Sequence, residues 1–409
     1  MGLDLTSFDS ALKTHYTNEV VENMVYKDNP LLALFAKYER FGGKNLPIPI
    51  LWGNPQGRSA SFTQAQARGL VTNSRVSDFT LTRVKDYSIA YLDNETLEAS
   101  KGDANAFMEA ATTEIDGAIN SLTRSVAMSI YRDGSGAFAQ VKAAPSAAGD
   151  MEIELKNHND IVHIEVGMQI EFWDALTSGT QHVGTTGTLP YTVKTVDRSS
   201  GKFTTDEAST SMQITIAAND YIFIKGDRGA KLSGLAAWIP SAAPSSATYF
   251  GVDRSVDSDR LGGLRLDGTS MPIEEALIEG MSLGARYGAK VDHAFTSFSK
   301  YASLEKALGS KVQYIDLTLN PQVGFRGILL NSPKGVVKVI PDLNCQDDIV
   351  WMLQLNTFKL YSLGKAVRVI DTDGLSMLRQ ASADGVEARY GFYGNVGCKA
   401  PGFNVRIGL

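Results

Sequence analysis

From Ala104 onward the apolar residues fall at helical spacing. Phe107, Ala111, Ile115, Ile119, Leu122, Val126 and Ile130 recur in steps of four, four, four, three, four and four. Steps of three and four put them on a single stripe, with Glu109, Asp116, Asn120 and Arg124 on the opposite face. Ser100 and Asp103 supply capping groups at the start, and Gly134 supplies the stop. About 27 helical residues make a rod roughly 40 Å long. Phe107, Ile115, Ile119, Leu122 and Val126 are its expected core-facing residues.

The stretch before this helix, "NPQGRSASFTQAQARGLVTNSRVSDFTLTRVKDYSIAYL" from Asn54 to Leu92, reads as two long strands joined near Gly69. Phe62 is the only large apolar residue of the first strand. The second alternates, with Phe79, Leu81, Tyr87, Ile89 and Tyr91 on one face, as a half-buried strand does. An isolated hairpin is marginal in water, so this arm is expected to find part of its packing surface outside itself.

Ahead of it, Asp9–Tyr26 suits a polar helix, and "NPLLALFAKYERF" suits a short apolar helix with Pro at its first turn. Pro47 and Pro49 then force extended backbone. After the long helix, Met151 to Lys225 changes character to six or seven short strands, with "VDRSSGK" as a hairpin turn. This predicts a small β-barrel or sandwich inserted into a larger domain. "SMPIEEALIEGMSLGARYG" is a second helix, with Ile273, Leu277, Met281 and Ala285 along one face, and "HAFTSFSKYASLEKALGS" a strand followed by a helix. The remainder is strand-rich, so the chain reads as α+β in two or three domains.

The 409 residues are 43% hydrophobic and 21% charged, enough for a sizeable core. The net charge of −6 argues against a chain built to hold nucleic acid by charge alone. Cys345 and Cys398 provide neither a disulfide framework nor metal spacing. The N-terminus lacks a basic region followed by an apolar core, so no secretory signal is expected. No run of about 18 apolar residues exists to span a membrane.

Catalytic constellations are missing from the pattern. There is no phosphate-binding Gly-rich loop ending in Lys-Ser or Lys-Thr, no Gly-x-Ser-x-Gly elbow and no dinucleotide fingerprint. His15, His158, His163, His182 and His293 are scattered and read as loop and strand positions rather than metal ligands. Asp253, Asp257 and Asp259 sit at calcium-like spacing but without the Gly and distal Glu of such a loop. "DTDG" from Asp371 is a turn, and Glu274 and Glu275 sit where a helix dipole favours acids. No catalytic residue, cofactor or metal site is expected.

Charge placement says more. Residues 54–86 hold Arg58, Arg68, Arg75, Arg83 and Lys85 against Asp78 and Asp86, so five minus two leaves +3. Residues 1–30 hold Lys13 and Lys27 against Asp4, Asp9, Glu19, Glu22 and Asp28, so two minus five leaves −3. A basic hairpin and an acidic arm can steer two chains together.

The order of parts, with "DNPLLALFAKYERFGGKNLPIPILWGNPQGRSASF", "VKDYSIAYLDNETLEASKGDANAFMEAATTEID", "AVRVIDTDG" and "EARYGFYGNVGCKAPGFNVRI", resembles the major capsid proteins of tailed bacteriophages. Their coat-protein fold was first seen in phage Hong Kong 97. The resemblance covers most of the chain in order. It implies an N-terminal arm at 1–50, an extended loop at 51–93, a peripheral domain with the spine helix at 94–147 and an inserted β-domain at 148–228. It further implies an axial domain at 229–322, peripheral strands at 323–374 and a C-terminal segment at 375–409.

On that resemblance Arg58, Phe62, Arg68, Arg75, Phe79, Arg83 and Lys85 would meet a neighbouring subunit. The implied partners are the chain itself in pentamers and hexamers, a separate scaffolding protein, a portal, decoration or cement proteins, and double-stranded DNA held non-specifically. The implied location is the virion, assembled in the host cytoplasm, with no membrane partner and no enzymatic role. Removing residues 58–83 is then expected to leave a folded subunit that does not assemble, and the β-module is expected to point outward and tolerate change. Other readings are an encapsulin-like nanocompartment subunit, an enzyme with a β-rich accessory domain, and a glycan-binding or adhesin-like protein using Trp173 and Tyr191 as sugar-stacking aromatics.

Overall fold

The computed structural model describes residues 24–93, 95, 104–145, 150–183, 190–208, 216–245, 248–309, 313–320, 323–371, 378–380 and 384–409, with the side chains of 104–111, 150, 207–208, 317–320 and 323–324 set aside. The described residues form a mixed α+β architecture, with two large open sheets, a separate closed sheet and one long helix among them.

The long helix runs Ala104–Tyr131. Ile115, Ile119, Leu122, Val126 and Ile130 are all buried on one side, as the stripe predicts. The Phe107 side chain lies outside the described residues. Gly134 adopts φ +85°, a left-handed conformation that glycine enters at little cost, and turns the chain away.

The helix lies against a sheet in which Ala36–Tyr38, Phe358–Ser362 and Gly385–Cys398 stand side by side. The strand Val84–Asp93 pairs with Gly385–Cys398 over ten residues, from Asp93 opposite Gly385 to Val84 opposite Gly394. Ala90 and Leu92 are buried beneath this sheet, whereas Tyr87, Ile89 and Tyr91 are exposed. Alternation along one strand thus splits the apolar residues between two faces.

The predicted 54–92 hairpin does not form. The strands that pair are Asn45–Gly53 and Arg75–Thr82, from Asn45 opposite Thr82 to Gly53 opposite Arg75. The polar segment between them carries a short helix, Phe62–Gly69, with no buried residue. The expected second strand is broken at Arg83, and its halves join different sheets. Arg83 donates from Nη1 to the Phe41 carbonyl at 2.9 Å, with its guanidinium over the Phe41 ring. That turn resets the register: Phe79 and Leu81 enter the core, and Tyr87, Ile89 and Tyr91 face out.

Among the described residues, seven short strands between Ala137 and Ile224 form a sheet of their own. A bridge between Val141 and Leu155 joins its two ends. Bonds from Lys142 N to Glu154 O at 2.9 Å and from Lys156 N to Gln140 O at 2.8 Å complete the closure. The result is a small barrel filled by Phe138, Ile153, Ile170, Phe172, Val193 and Phe203. It begins earlier than the predicted insertion, because Ala137–Gln140 supplies a strand. Gly229 N donates to Ser135 O at 2.6 Å, so the chain leaves the barrel where it went in.

The second large sheet has seven strands in the order Leu264–Asp267, Val405–Gly408, Ile349–Leu353, His293–Thr296, Gly335–Pro341, Val323–Ser332 and Tyr314–Asn320. Helix Ile273–Arg286 rests on it through Ala276, Leu277, Gly280 and Met281. A Cβ at Gly280 would lie 2.6 Å from Ile407 Cδ1, so the helix approaches the sheet closely here and a larger residue would have to push the Ile407 side chain aside.

The segment before the loop is tied in by a buried carboxylate. Asp342 accepts from Tyr131 Oη at 2.8 Å, from Leu31 N at 3.3 Å and from Asn344 N at 2.9 Å. Burial pushes its carboxyl above the usual range despite these donors.

Candidate assembly surface

The root of the loop is held by aromatic packing. Ile48, Ile50, Phe79 and Leu81 are buried on the inner side of the two loop strands. Phe79 stands edge-on to Trp238 at 5.0 Å between centroids, and Trp238 in turn meets Tyr249 at 5.1 Å. Thr80 N donates to Phe250 O at 2.8 Å, and Asn395 Nδ2 to Thr82 O at 2.9 Å. Each aromatic pair adds about 0.5–1.5 kcal/mol beyond its area burial.

Beyond the root, the loop offers apolar surface to solvent. Phe62, Leu70 and Val71 are 82%, 80% and 82% exposed, and Leu51 and Val76 are more than half exposed on the outer side of the strands. Side chains this exposed are candidates for burial on a partner. Arg58, Arg68 and Arg75 belong to the same segment, and no acidic residue falls between Asn54 and Arg75. Pro47 and Pro49 stand in the outer loop strand. Lacking N–H groups, they discourage another strand from adding along that edge. Contact through side chains is favoured.

The residues predicted to meet a neighbour therefore separate. Arg58, Phe62, Arg68 and Arg75 are exposed on the loop, and Lys85 is exposed at the start of the Val84–Asp93 strand. Arg83 is half-buried against Phe41. Phe79 is fully buried in its own chain, so its assignment to a contact between subunits is corrected. Sequence reasoning missed Leu70 and Val71, whose signal was two apolar residues beside Gly69 in an otherwise polar stretch. The exposed face of Tyr87, Ile89 and Tyr91 is a second apolar strip on the same molecule.

Other candidate positions have structural occupations. Asp253 accepts from Ser255 N, and Asp257 caps the short helix Ser258–Gly262 through Arg260 N. Asp259 pairs with Arg265 at 3.1 Å. His163 is buried, and desolvation lowers its ring to about 3. His182 is buried 2.9 Å from Asp220. Among the described residues, no three His, Cys, Asp or Glu side chains group to hold a metal. His15, the acidic groups up to Glu22 and most of "DTDG" lie outside the described residues. Tyr191 is fully buried, and Trp173 lies beneath the Arg228 guanidinium at 3.6 Å, which removes the sugar-stacking pair. No helix among the described residues is long and apolar enough to cross a membrane.

No protein-family model matches the chain, and no curated protein does. Solved structures align along nearly its whole length. The capsid asymmetric unit of cyanophage A-1(L) aligns over 93% of this chain and 92% of its own, at 11% identity and a TM-score of 0.48. A chain of Microbacterium phage Oxtober96 aligns over 94% and 91%, at 10% identity and a TM-score of 0.44. The SrpI encapsulin of Synechococcus elongatus aligns over 92% and 86%, at 6% identity and a TM-score of 0.43.

Proposed function

We propose that this chain is the major capsid protein of a tailed bacteriophage, a shell subunit that assembles with copies of itself into pentamers and hexamers around double-stranded DNA. The observation that carries this reading is the loop: a buried aromatic root that bears an uncovered apolar and basic tip. Phe62, Leu70 and Val71 gain their burial on a second copy, steered by Arg58, Arg68 and Arg75. The long helix and its sheet supply the stiff body from which the loop is held out. Such head-to-tail contacts close into rings when the rotation between copies allows it. The reading needs no catalytic step, and a scaffolding protein, portal and decoration proteins are its further partners.

The test is microscopy and light scattering of the purified chain, alone and co-produced with its scaffold. Closed shells or rings of five and six support the reading, and nuclease-protected double-stranded DNA in shells from infected cells separates a phage head from an encapsulin-like compartment. A chain that stays monomeric at high concentration and with scaffold overturns it.

A further inference from the structure

We infer that residues 54–74 form a preformed hook that turns as one body about Gly53 and Arg75, and that a contact from Arg260 to Trp52 is the latch that sets its angle. The hook is closed upon itself. Gln56 N donates to Thr72 Oγ1 at 3.1 Å, Thr72 Oγ1 donates to Arg68 O at 2.7 Å, and Arg68 Nη1 donates to Arg58 O at 3.4 Å. Its two limbs touch: a Cβ at Gly57 would lie 3.0 Å from Gly69 Cα. Yet no residue from Asn54 to Ser74 is buried, so the hook is shaped internally and not by the body beneath it.

The pivot falls where the strands stop matching. Pairing runs regularly from Asn45 to Leu51 and then shifts, placing Gly53 opposite Arg75 with Trp52 as the extra residue. A bulge bends its strand and weakens the ladder locally. Three contacts converge on Trp52. Its Nε1 donates to Ser77 Oγ at 3.0 Å, the Arg75 guanidinium lies over its ring at 5.2 Å, and its carbonyl accepts from Arg260 Nη1 at 2.6 Å. The first two come from the paired loop strand. Arg260 alone of the three belongs to the body, on helix Ser258–Gly262, packed so closely under Gly402 that a Cβ there would lie 2.8 Å from Arg260 Cα. The Arg260 side chain is 60% exposed. Solvent competes for such a bond, so it holds an angle yet releases readily, unlike the buried contact of Phe79 with Trp238.

The inference concerns the loop in the free chain and stands apart from the shell reading. It is tested on unassembled protein with spin labels at Gln64→Cys and Glu279→Cys, the native Cys345 and Cys398 being buried. The latched chain should give one narrow distance distribution. Arg260→Ala should abolish that single distance, with the Ser77 amide exchanging about 5-fold faster, the effect of one contact of roughly 1 kcal/mol. Asp259→Ala, which breaks the pair from the same short helix to Arg265 and leaves Arg260, its Asp257 partner and Trp52 in place, should keep the narrow distribution. A broad distribution in the parent, an unchanged one in Arg260→Ala, or equal broadening in Asp259→Ala each overturns the latch.

Discussion

Phe79 and Trp238 meet edge to face at 5.0 Å, although 158 residues separate them in the chain, and both are fully buried. This contact fastens the loop root to the chain that emerges from the barrel, so the loop is held out from a rigid base. The apolar surface beyond it is left exposed as a matter of construction and is not the fraying of a weak hairpin.

Two phenylalanines in the same loop should therefore behave oppositely. Phe79→Ala should lose about 3–5 kcal/mol of stability, as truncation of a buried aromatic does. Phe62→Ala should change stability by no more than about 0.5 kcal/mol while weakening association between copies. Denaturant midpoints read the first effect and light scattering the second.

The deletion expected to spare the fold must be redrawn. Removing residues 58–83 would take out the strand Arg75–Thr82 and with it Phe79 and Leu81, so that variant should unfold. Replacing residues 54–74 by Asn-Gly, between the paired Gly53 and Arg75, should leave a cooperative monomer that forms no shells. Closed shells from this variant would show that the hook is not the contact.

The barrel should be removable. Its chain enters and leaves at Ser135 and Gly229, which are hydrogen-bonded to each other. Excising residues 136–228 should leave a folded body, provided Arg132 is also changed to Gln, because its partner Asp160 at 2.7 Å departs with the barrel. Loss of the cooperative transition in the excised chain would show instead that the barrel is integral to the core.

Stability should depend on pH through His163. Its ring titrates near 6.5 when unfolded and is lowered to about 3 in the fold by burial and by Arg132 and Arg124. Between those values the unfolded chain binds a proton that the folded chain refuses. The stability of the neutral ring is thus present above about pH 6.5 and is lost as pH falls toward 3. His163→Gln should flatten this slope, and the difference between the two proteins should reach about 2 kcal/mol between pH 7 and pH 5. Parallel curves would show that another group is responsible.

Association should be sensitive to salt if the loop steers it. Changing Arg58, Arg68 and Arg75 together to Ser should slow assembly at low ionic strength and remove most of its salt dependence. A salt dependence as steep as in the parent would place the steering charge elsewhere.

Local pattern determined a good deal of this molecule. Spacings of three and four along Ile115, Ile119, Leu122 and Val126 specify a helix and its buried face, because a helix carries its own register. Glycine at 134 and the Asp197–Lys202 turn punctuate the chain with equal clarity, since both depend on neighbouring residues alone. The strand partners were not legible. Phe79, Leu81, Tyr87, Ile89 and Tyr91 share the same parity in sequence, and alternation alone puts them on one face. Only the tertiary structure, by anchoring Arg83 on Phe41 and sending the two halves to different sheets, decides that the first pair is core and the other three are surface. A strand supplies one edge and needs another from far away in the chain, so its pairing, and with it the exposed surface of this protein, is settled by the assembled fold.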